Sequence, residues 1–331
     1  MNHAYFMQQC IDLATKGRGY VGSNPLVGSI LVRDGRIIAE GVYMGKGTPH
    51  AERQLLEQLN VKTSRRDVSP EDILYVNLEP CCHHGDTPPC IDIIIRSGIK
   101  TVVVGMKDPD VRVSGNGIQA LRDTGIRVVG PVMPELCRRL NKGFVSLRER
   151  GRPYITLKRA QTAQGVTANT DGTKLCITSD EQNTWSHTHL RTTHDAILVG
   201  VQTVITDNPL LTIRNTKYEI LNSTHQPWRI VLDPDLRIPT DARVVGERCV
   251  VIRGSKNTQD SHESKERILK QKGAYIISVP AVNNHFDWDV LWESLSTFPF
   301  QLSTLLVEGG EKTWNAFKSA GFVDEEVILV N

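Results

Sequence analysis

The chain has 331 residues, 39 basic and 37 acidic side chains, and a formal charge of +2. That balance, with no long basic run, argues against a dedicated nucleic-acid binder, whose affinity comes mainly from neutralising phosphates. No apolar stretch approaches a membrane span, the N-terminus has no signal-peptide pattern, and seven cysteines in so long a chain read as thiols of a reducing cytoplasm, not a disulfide framework.

Residues 3–16 read as a helix. Val27 to Val32 is an apolar strand, and Asp34-Gly35 is a hairpin turn into Ile37 to Val42. A helix over 51–59 carries Leu55, Leu56 and Leu59 at helical spacing. Strand 73–78, helix 90–97, strand Thr101 to Gly105, helix 117–124 and strand 126–129 complete an α/β alternation. Residues 134–150 read as a helical connector with a solvated Arg and Lys face. The pattern restarts after Gly151-Arg152-Pro153 with strand Tyr154 to Leu157, a helix over 180–193 and strand Ala196 to Val201. Strands at Trp228 to Leu232, Cys249 to Ile252, Ala274 to Val279 and Thr304 to Val307 follow, then a helix from Thr313 to Ala320. The stretch 255–271 reads as a surface loop plus an exposed helix. The predicted division is 1–145 and 151–331, in keeping with the two-domain prior for this length.

Chemistry concentrates in a split motif. His50-Ala51-Glu52 opens the 51–59 helix, and Glu79-Pro80-Cys81-Cys82-His83-His84-Gly85-Asp86-Thr87-Pro88-Pro89-Cys90 follows the 73–78 strand. One His and two Cys are the three protein ligands of a catalytic zinc, which leaves a position for water. Bound zinc lowers the pKa of that water, and a carboxylate that is not a ligand moves the protons. His50, Cys81 and Cys90 are the predicted ligands and Glu52 the proton shuttle. Residues two apart do not share a helix face, so the His-Glu pair works only at the helix mouth. Cys90 follows Pro88-Pro89 at a helix start, where a thiol pKa is expected to fall. Ordinary buried cysteines beside a surface histidine would not require this order and placement.

With these strings, and with Asn24-Pro25-Leu26-Val27-Gly28, Asn141-Lys142-Gly143-Phe144, His189-Leu190-Arg191, Asp195-Ala196-Ile197, Gly200, Asp207-Asn208-Pro209, Leu211-Thr212, Arg214 and Glu308-Gly309-Gly310, the chain resembles the bifunctional riboflavin-biosynthesis deaminase/reductase family over nearly its whole length. The resemblance implies an α/β chain: a cytidine-deaminase-like three-layer α/β/α domain, then a dihydrofolate-reductase-like α/β domain. It implies one zinc ion and NADPH as cofactors. It implies hydrolysis of the 2-amino group of a diaminopyrimidinone ribosylamino 5′-phosphate, then reduction of the ribosyl to a ribityl chain. Partners would be small pyrimidine ribotides and further copies of the chain, as a dimer or tetramer. By the family's motifs Asn24 contacts the pyrimidine and His83 lies beside substrate, while Cys82 is a bystander. Thr203, Asp207 and Gly310 would touch NADPH; Arg191, Leu211, Arg214 and Glu308 the ribosyl substrate; Lys158 would sit near the hydride-transfer site. The glycines after strand 304–307 read as a phosphate site at a helix start, and the two arginines suit phosphate recognition.

Some positions depart from the family. Asp86 and Asp110 stand near the expected substrate phosphate, where a carboxylate repels; either other groups hold the phosphate, with Arg112, Lys107 and Arg33 as candidates, or the substrate differs, for example by lacking the phosphate. Gln164, Lys174 and Cys176 replace residues of the reductase half, and relatives continue beyond the position of Asn331. These departures leave open a deaminase whose second domain is only a scaffold, with a sheet edge exposed unless a partner chain covers it. Two further readings are a zinc-stabilised binding protein, which would need no Glu52, and a deaminase of nucleic-acid bases, for which a basic face is lacking. Gly115-Asn116-Gly117-Ile118-Gln119-Ala120 fits a dinucleotide fingerprint only in letters: it does not follow its strand directly and lacks the acidic residue farther on. It reads as a glycine-rich loop near the active site.

Overall fold

A computed structural model describes residues 2–61, 68–85, 87–111, 113–167, 177–214, 226–255, 260–283, 285–298 and 302–331. The chain divides into two compact units, Met1–Gly151 and Arg152–Asn331.

The first unit runs α1 (His3–Ala14), β1 (Gly28–Arg33), β2 (Arg36–Val42), α2 (Ala51–Val61), β3 (Ile73–Leu78), α3 (Cys90–Ser97), β4 (Thr101–Met106), α4 (Asn116–Asp123), β5 (Arg127–Val129), α5 (Pro134–Leu140) and α6 (Lys142–Arg150). Among the described residues its sheet has the order β2-β1-β3-β4-β5, with β1 antiparallel to both neighbours and the remaining pairs parallel. Asp34 and Gly35 both take positive φ (49° and 73°), the twist a two-residue hairpin needs. Two glycines show how the layers form. Gly41 pairs with Ser29, so Gly28, one residue away, faces the opposite side of the sheet. A Cβ on Gly28 would meet the Cys10 carbonyl of α1 at 2.4 Å, and one on Gly41 the Ala51 carbonyl of α2 at 2.1 Å. Helices α1 and α2 therefore press on opposite faces, around a core that includes Met7, Leu31, Leu55, Leu74 and Val103. The predicted 134–150 connector is two helices broken at Asn141.

The second unit runs β6 (Tyr154–Gln161), α7 (Asp180–Trp185), β7 (Ala196–Gly200), α8 (Val201–Asp207), β8 (Trp228–Leu232), β9 (Cys249–Gly254), α9 (Asp260–Gln271), β10 (Tyr275–Val279), the short hairpin β11 (Ala281–Val282) and β12 (His285–Phe286), α10 (Trp288–Ser296), β13 (Thr304–Val307), α11 (Glu311–Ser319) and β14 (Glu325–Val330). Among the described residues the main sheet is parallel throughout, in the order β10-β9-β8-β7-β13-β6-β14. Along β7, Ala196 and Leu198 join one core with Ile155, Trp314 and Phe317. Ile197 and Val199 join a second core with Val231, Val251 and Leu269. Apolar side chains on both faces are what a doubly covered parallel sheet requires.

Helices α8 and α10 and strand β14 are elements the sequence pattern did not predict. The 180–193 helix is also not uniform: α7 passes into a π-turn over Ser186–Leu190 and a 3-10 turn over Arg191–Thr193. From β7 the chain crosses through α8 to β8 on one side; from β13 it crosses through α11 to β14 on the other. The carboxyl ends of β7 and β13 thus flank the point where strand order reverses, the place where open parallel sheets bind ligands.

Candidate active sites

In the first unit, β3, α2 and α3 bring His50, Cys81 and Cys90 together. His50 stands at the mouth of α2, its carbonyl accepting from Gln54 N at 2.8 Å. Cys90 is the first residue of α3, after Pro89. His50 Nδ1 lies 3.5 Å from Cys81 Sγ and 3.4 Å from Cys90 Sγ. All three donor atoms lie within 4.8 Å of one another. Zinc bonds of about 2.0 Å to nitrogen and about 2.3 Å to sulfur, at tetrahedral angles, separate such donors by about 3.5 Å. The donor set and its spacing fit that ion. The other ring nitrogen, Nε2, faces the Thr87 hydroxyl at 3.5 Å, a partner that leaves Nδ1 free to ligate.

Glu52 is almost completely buried beside these donors. Burial, then the charge of Cys81, raises its carboxyl to about 7. A carboxyl poised there can both take and give a proton at neutral pH. The expectation for Cys90 is corrected. A hydrogen bond from the Cys90 thiol, then bonds from His50 and the Cys90 backbone, hold Cys81 down at about 4. Cys90, whose thiol donates a hydrogen bond to Cys81 and is buried, is pushed up. The first N–H of α3 also donates to Cys81 Sγ, at 3.2 Å, so the helix start serves Cys81 and not only its own first residue.

The loops around this cluster are tied by side chains that sequence reasoning overlooked. Buried Glu79 accepts backbone N–H bonds from Asp108, Gly115 and Ile118 at 3.1, 2.9 and 3.1 Å. A Cβ on Gly117 would meet the Pro80 carbonyl at 2.1 Å. The glycine-rich string, at the start of α4, is thus packed against the residues just before Cys81. Asn77 and Asn141 both hydrogen-bond the backbone of Leu26, fixing the turn that carries Asn24. Asn24 Nδ2 donates to Tyr43 Oη at 3.3 Å, and the Tyr43 ring meets His50 edge-on at 5.4 Å. The structure so brings Asn24 to the metal cluster's neighbourhood. The sequence signal for Glu79 and Asn77 was available: polar residues inside the apolar 73–79 run. His83 is exposed on its loop. Arg33 is taken by a two-bond pair with Asp72. Asp110 has Arg148 at 4.0 Å. Asp86 and Arg112 lie outside the described residues.

In the second unit, Lys158 on β6, Arg191, Arg214 and Glu308 converge near the β7–β13 crevice. Arg191 donates to both Glu308 oxygens, at 2.9 and 2.7 Å, and to the Thr212 carbonyl at 2.8 Å. Burial would raise Glu308, but Arg191, with Lys158 and His187, overrides it and holds the carboxyl at about 2. Arg191 is thereby engaged inside the protein, whereas the Arg214 residue is exposed. Leu211 is buried in the core at positive φ (51°), so its side chain is packing and its backbone turn presents the Thr212 carbonyl to Arg191. Thr203 lies in the first turn of α8 and Gly310 caps α11, on the two sides of the crevice. Thr313 fills the space where Gly200 and Gly309 have no side chain, 2.7 Å from the Cβ that either would carry. Asp207 sits at the far, exposed end of α8. Lys174 and Cys176 lie outside the described residues; Gln164 is exposed in a turn. Sequence reasoning missed His187, whose i, i+4 spacing to Arg191 was the available signal.

Residues 1–106 match the family model of the cytidine and deoxycytidylate deaminase zinc-binding region, and residues 153–331 match that of the RibD C-terminal domain. The riboflavin biosynthesis protein RibD of Aquifex aeolicus is 40% identical over 328 residues, 98% of this chain and 85% of that protein. The chain belongs to the RibD family. RibD of Escherichia coli is 34% identical over 340 residues, covering 100% of this chain and 88% of that protein. Among solved structures, Acinetobacter baumannii RibD superposes with a TM-score of 0.82 at 32% identity, over 99% of this chain and 86% of that one. The deaminase/reductase of Thermotoga maritima gives 0.77 at 36% identity, over 96% and 83%. The RibD likeness spans both units, so the second half has the family's reductase domain, and a deaminase with only a scaffold for its second domain is not favoured.

Proposed function

We propose that this RibD-family chain is a bifunctional enzyme of riboflavin biosynthesis that acts on small pyrimidine ribotides. Its first domain (1–145) deaminates the 2-amino group of 2,5-diamino-6-ribosylamino-4(3H)-pyrimidinone 5′-phosphate by hydrolysis. Its second (151–331) reduces the ribosyl to a ribityl chain. The observation that carries the reading is the closeness of His50 Nδ1 to the sulfurs of Cys81 and Cys90, with buried Glu52 beside them. When bound there, zinc supplies Lewis acidity to the hydrolytic water. Glu52 takes the proton of the attacking water and gives it to the departing amine, as a carboxyl raised to about 7 can. Asn24 orients the pyrimidine, and His83 lies beside it.

In the second domain NADPH, when bound, supplies hydride. Thr203, Asp207 and Gly310 hold the cofactor, with backbone N–H groups at the start of α11 available to a phosphate. Arg214 meets the ribotide. Arg191 and Glu308 form the wall behind it, joined at 2.7 Å, and Lys158 supplies a positive charge near the reacting carbon. The enzyme works in a reducing cytoplasm, where Cys81 and Cys90 stay available to metal, and assembles as a homo-oligomer, a dimer or tetramer that light scattering would reveal. Among the described residues no helix is long and apolar enough to cross a membrane. The direct test supplies the diaminopyrimidinone ribotide and NADPH to purified, zinc-loaded protein. Ammonia release and ribityl product with NADPH oxidation are expected; ammonia alone would reduce the reading to a deaminase.

A further inference from the structure

Arg214 has an exposed side chain, but its backbone is held from within. Its N–H donates to His187 Nδ1 at 3.1 Å. His187 lies on the π-turn, where the Arg191 N–H reaches back five residues to the Ser186 carbonyl. The same turn therefore carries both His187 and the Arg191 guanidinium that grips Glu308 and the Thr212 carbonyl. Two residues of the 211–214 segment are so held by one turn: Thr212 through its carbonyl, Arg214 through its N–H.

We propose that His187 is a positioning residue of the reductase half, which holds the Arg214 backbone so that its guanidinium is offered to the phosphate end of the ribotide. This rests on the reading above that Arg214 meets the ribotide. To accept the Arg214 N–H, His187 must leave Nδ1 without a proton. Among the described residues the charged groups facing it are Arg191, Arg214, Lys158 and Glu308. Burial and the three cations, against the one carboxylate, hold the imidazole down at about 4. The ring is therefore a neutral acceptor across the pH range in which the enzyme would work. Without it, the Arg214 N–H loses its partner, while Thr212 keeps its bond to Arg191 and Ile213 its two bonds with the Gln226 side chain, so the loss falls on Arg214 alone.

The test compares wild type, H187A, H187N and R214A by calorimetric binding of ribose 5-phosphate and of ribose. NADPH oxidation with the deaminated ribotide is measured in parallel. An asparagine oxygen stands near the place of Nδ1 and restores the acceptor. One net hydrogen bond corresponds to about a five- to tenfold change in affinity. H187A is expected to weaken ribose 5-phosphate binding about five- to tenfold, H187N to recover to within about twofold of wild type, and the R214A background to abolish the effect of H187A. Turnover should show a raised KM with kcat changed less than about twofold. Wild-type affinity in H187A, or an equal loss for ribose and its phosphate, overturns the proposal. Absence of NADPH oxidation by wild type would sink the reductase reading, while the binding comparison still decides the role of His187. An unchanged circular dichroism spectrum and an unchanged thermal melt of the second unit certify that each variant is folded; if H187A is not, H187N against His187→Phe gives the same comparison.

Discussion

Arg191 and Glu308 form a forked ion pair, with bonds of 2.9 and 2.7 Å and side chains only 11% and 9% exposed. The two residues are 117 apart in sequence, so the pair joins the π-turn to the end of β13. A buried carboxylate without its cation is costly, about 3–5 kcal/mol. Arg191→Met is therefore expected to lower stability by that amount in denaturant unfolding, and Glu308→Gln by about 1–3 kcal/mol. Equal stability of Arg191→Met and wild type would show that the pair contributes nothing.

The same pair sets a pH dependence. Glu308 is held at about 2, below its ordinary 4.5. A carboxyl depressed in the folded state adds stability that is fully present above the ordinary value and is lost as pH falls through the depressed one. The loss is expected between pH 4.5 and 2. Thermal melts of wild type and Glu308→Gln should converge over that window, and parallel curves would argue against it.

Glu52→Gln separates proton transfer from metal binding. Glutamine keeps the shape of the buried side chain but cannot shuttle a proton. Ammonia release should fall about 10²- to 10⁴-fold, with zinc content at one ion per chain. NADPH oxidation on the deaminated intermediate should stay at the wild-type rate. Undiminished ammonia release would falsify the role given to Glu52.

Metal uptake should be linked to protons. Cys81 is held at about 4 and Cys90 is pushed up, so the metal-free pair keeps one proton at neutral pH. A metal ion takes both sulfurs as thiolates and the imidazole neutral, and the bond to Cys81 raises His50 as well, so zinc affinity is expected to rise with pH by up to about tenfold per unit for each proton released. Competition against a chromophoric chelator from pH 6 to 8 measures it. A flat profile would mean that no proton leaves the cluster. Stripping zinc should abolish ammonia release and spare NADPH oxidation.

Gly117→Ala probes the docking of α4 under the metal site. The added methyl would sit 2.1 Å from the Pro80 carbonyl, so backbone must move beside Cys81. Strain of this kind costs about 1–3 kcal/mol, and weaker zinc retention is expected with it. Wild-type melting and zinc content in this variant would show that the loop yields freely.

The deaminase half was largely legible in the sequence because its chemistry is local. His50 and Glu52 share one helix mouth, and Cys81 and Cys90 are joined by a short loop whose prolines announce the helix that starts at Cys90. Continuous apolar runs placed β1, β3, β4 and β13 within a residue or so, since a strand between two helical layers must be apolar on both faces. Other elements were hidden. Helix α8 follows β7 without a break and its apolar residues, Val201 and Val204, are few. The edge strand β14 alternates as a half-exposed strand should, yet its place beside β6 is a matter of topology. The π-turn at Ser186–Leu190 leaves no mark in a helical pattern.

What sequence alone determined is which residues have the chemistry: a histidine, a carboxylate and two thiols at ligand spacing, and a second set of charges strewn from Lys158 to Glu308. What only the tertiary structure decided is how those charges are shared. It gave Arg191 to Glu308, left Arg214 exposed, turned Leu211 into the core, and made Cys81 rather than Cys90 the sulfur that gathers donors. Each outcome depends on which group is buried and which neighbour reaches it first. Those quantities come from contacts between residues far apart in the chain, and no local pattern encodes them.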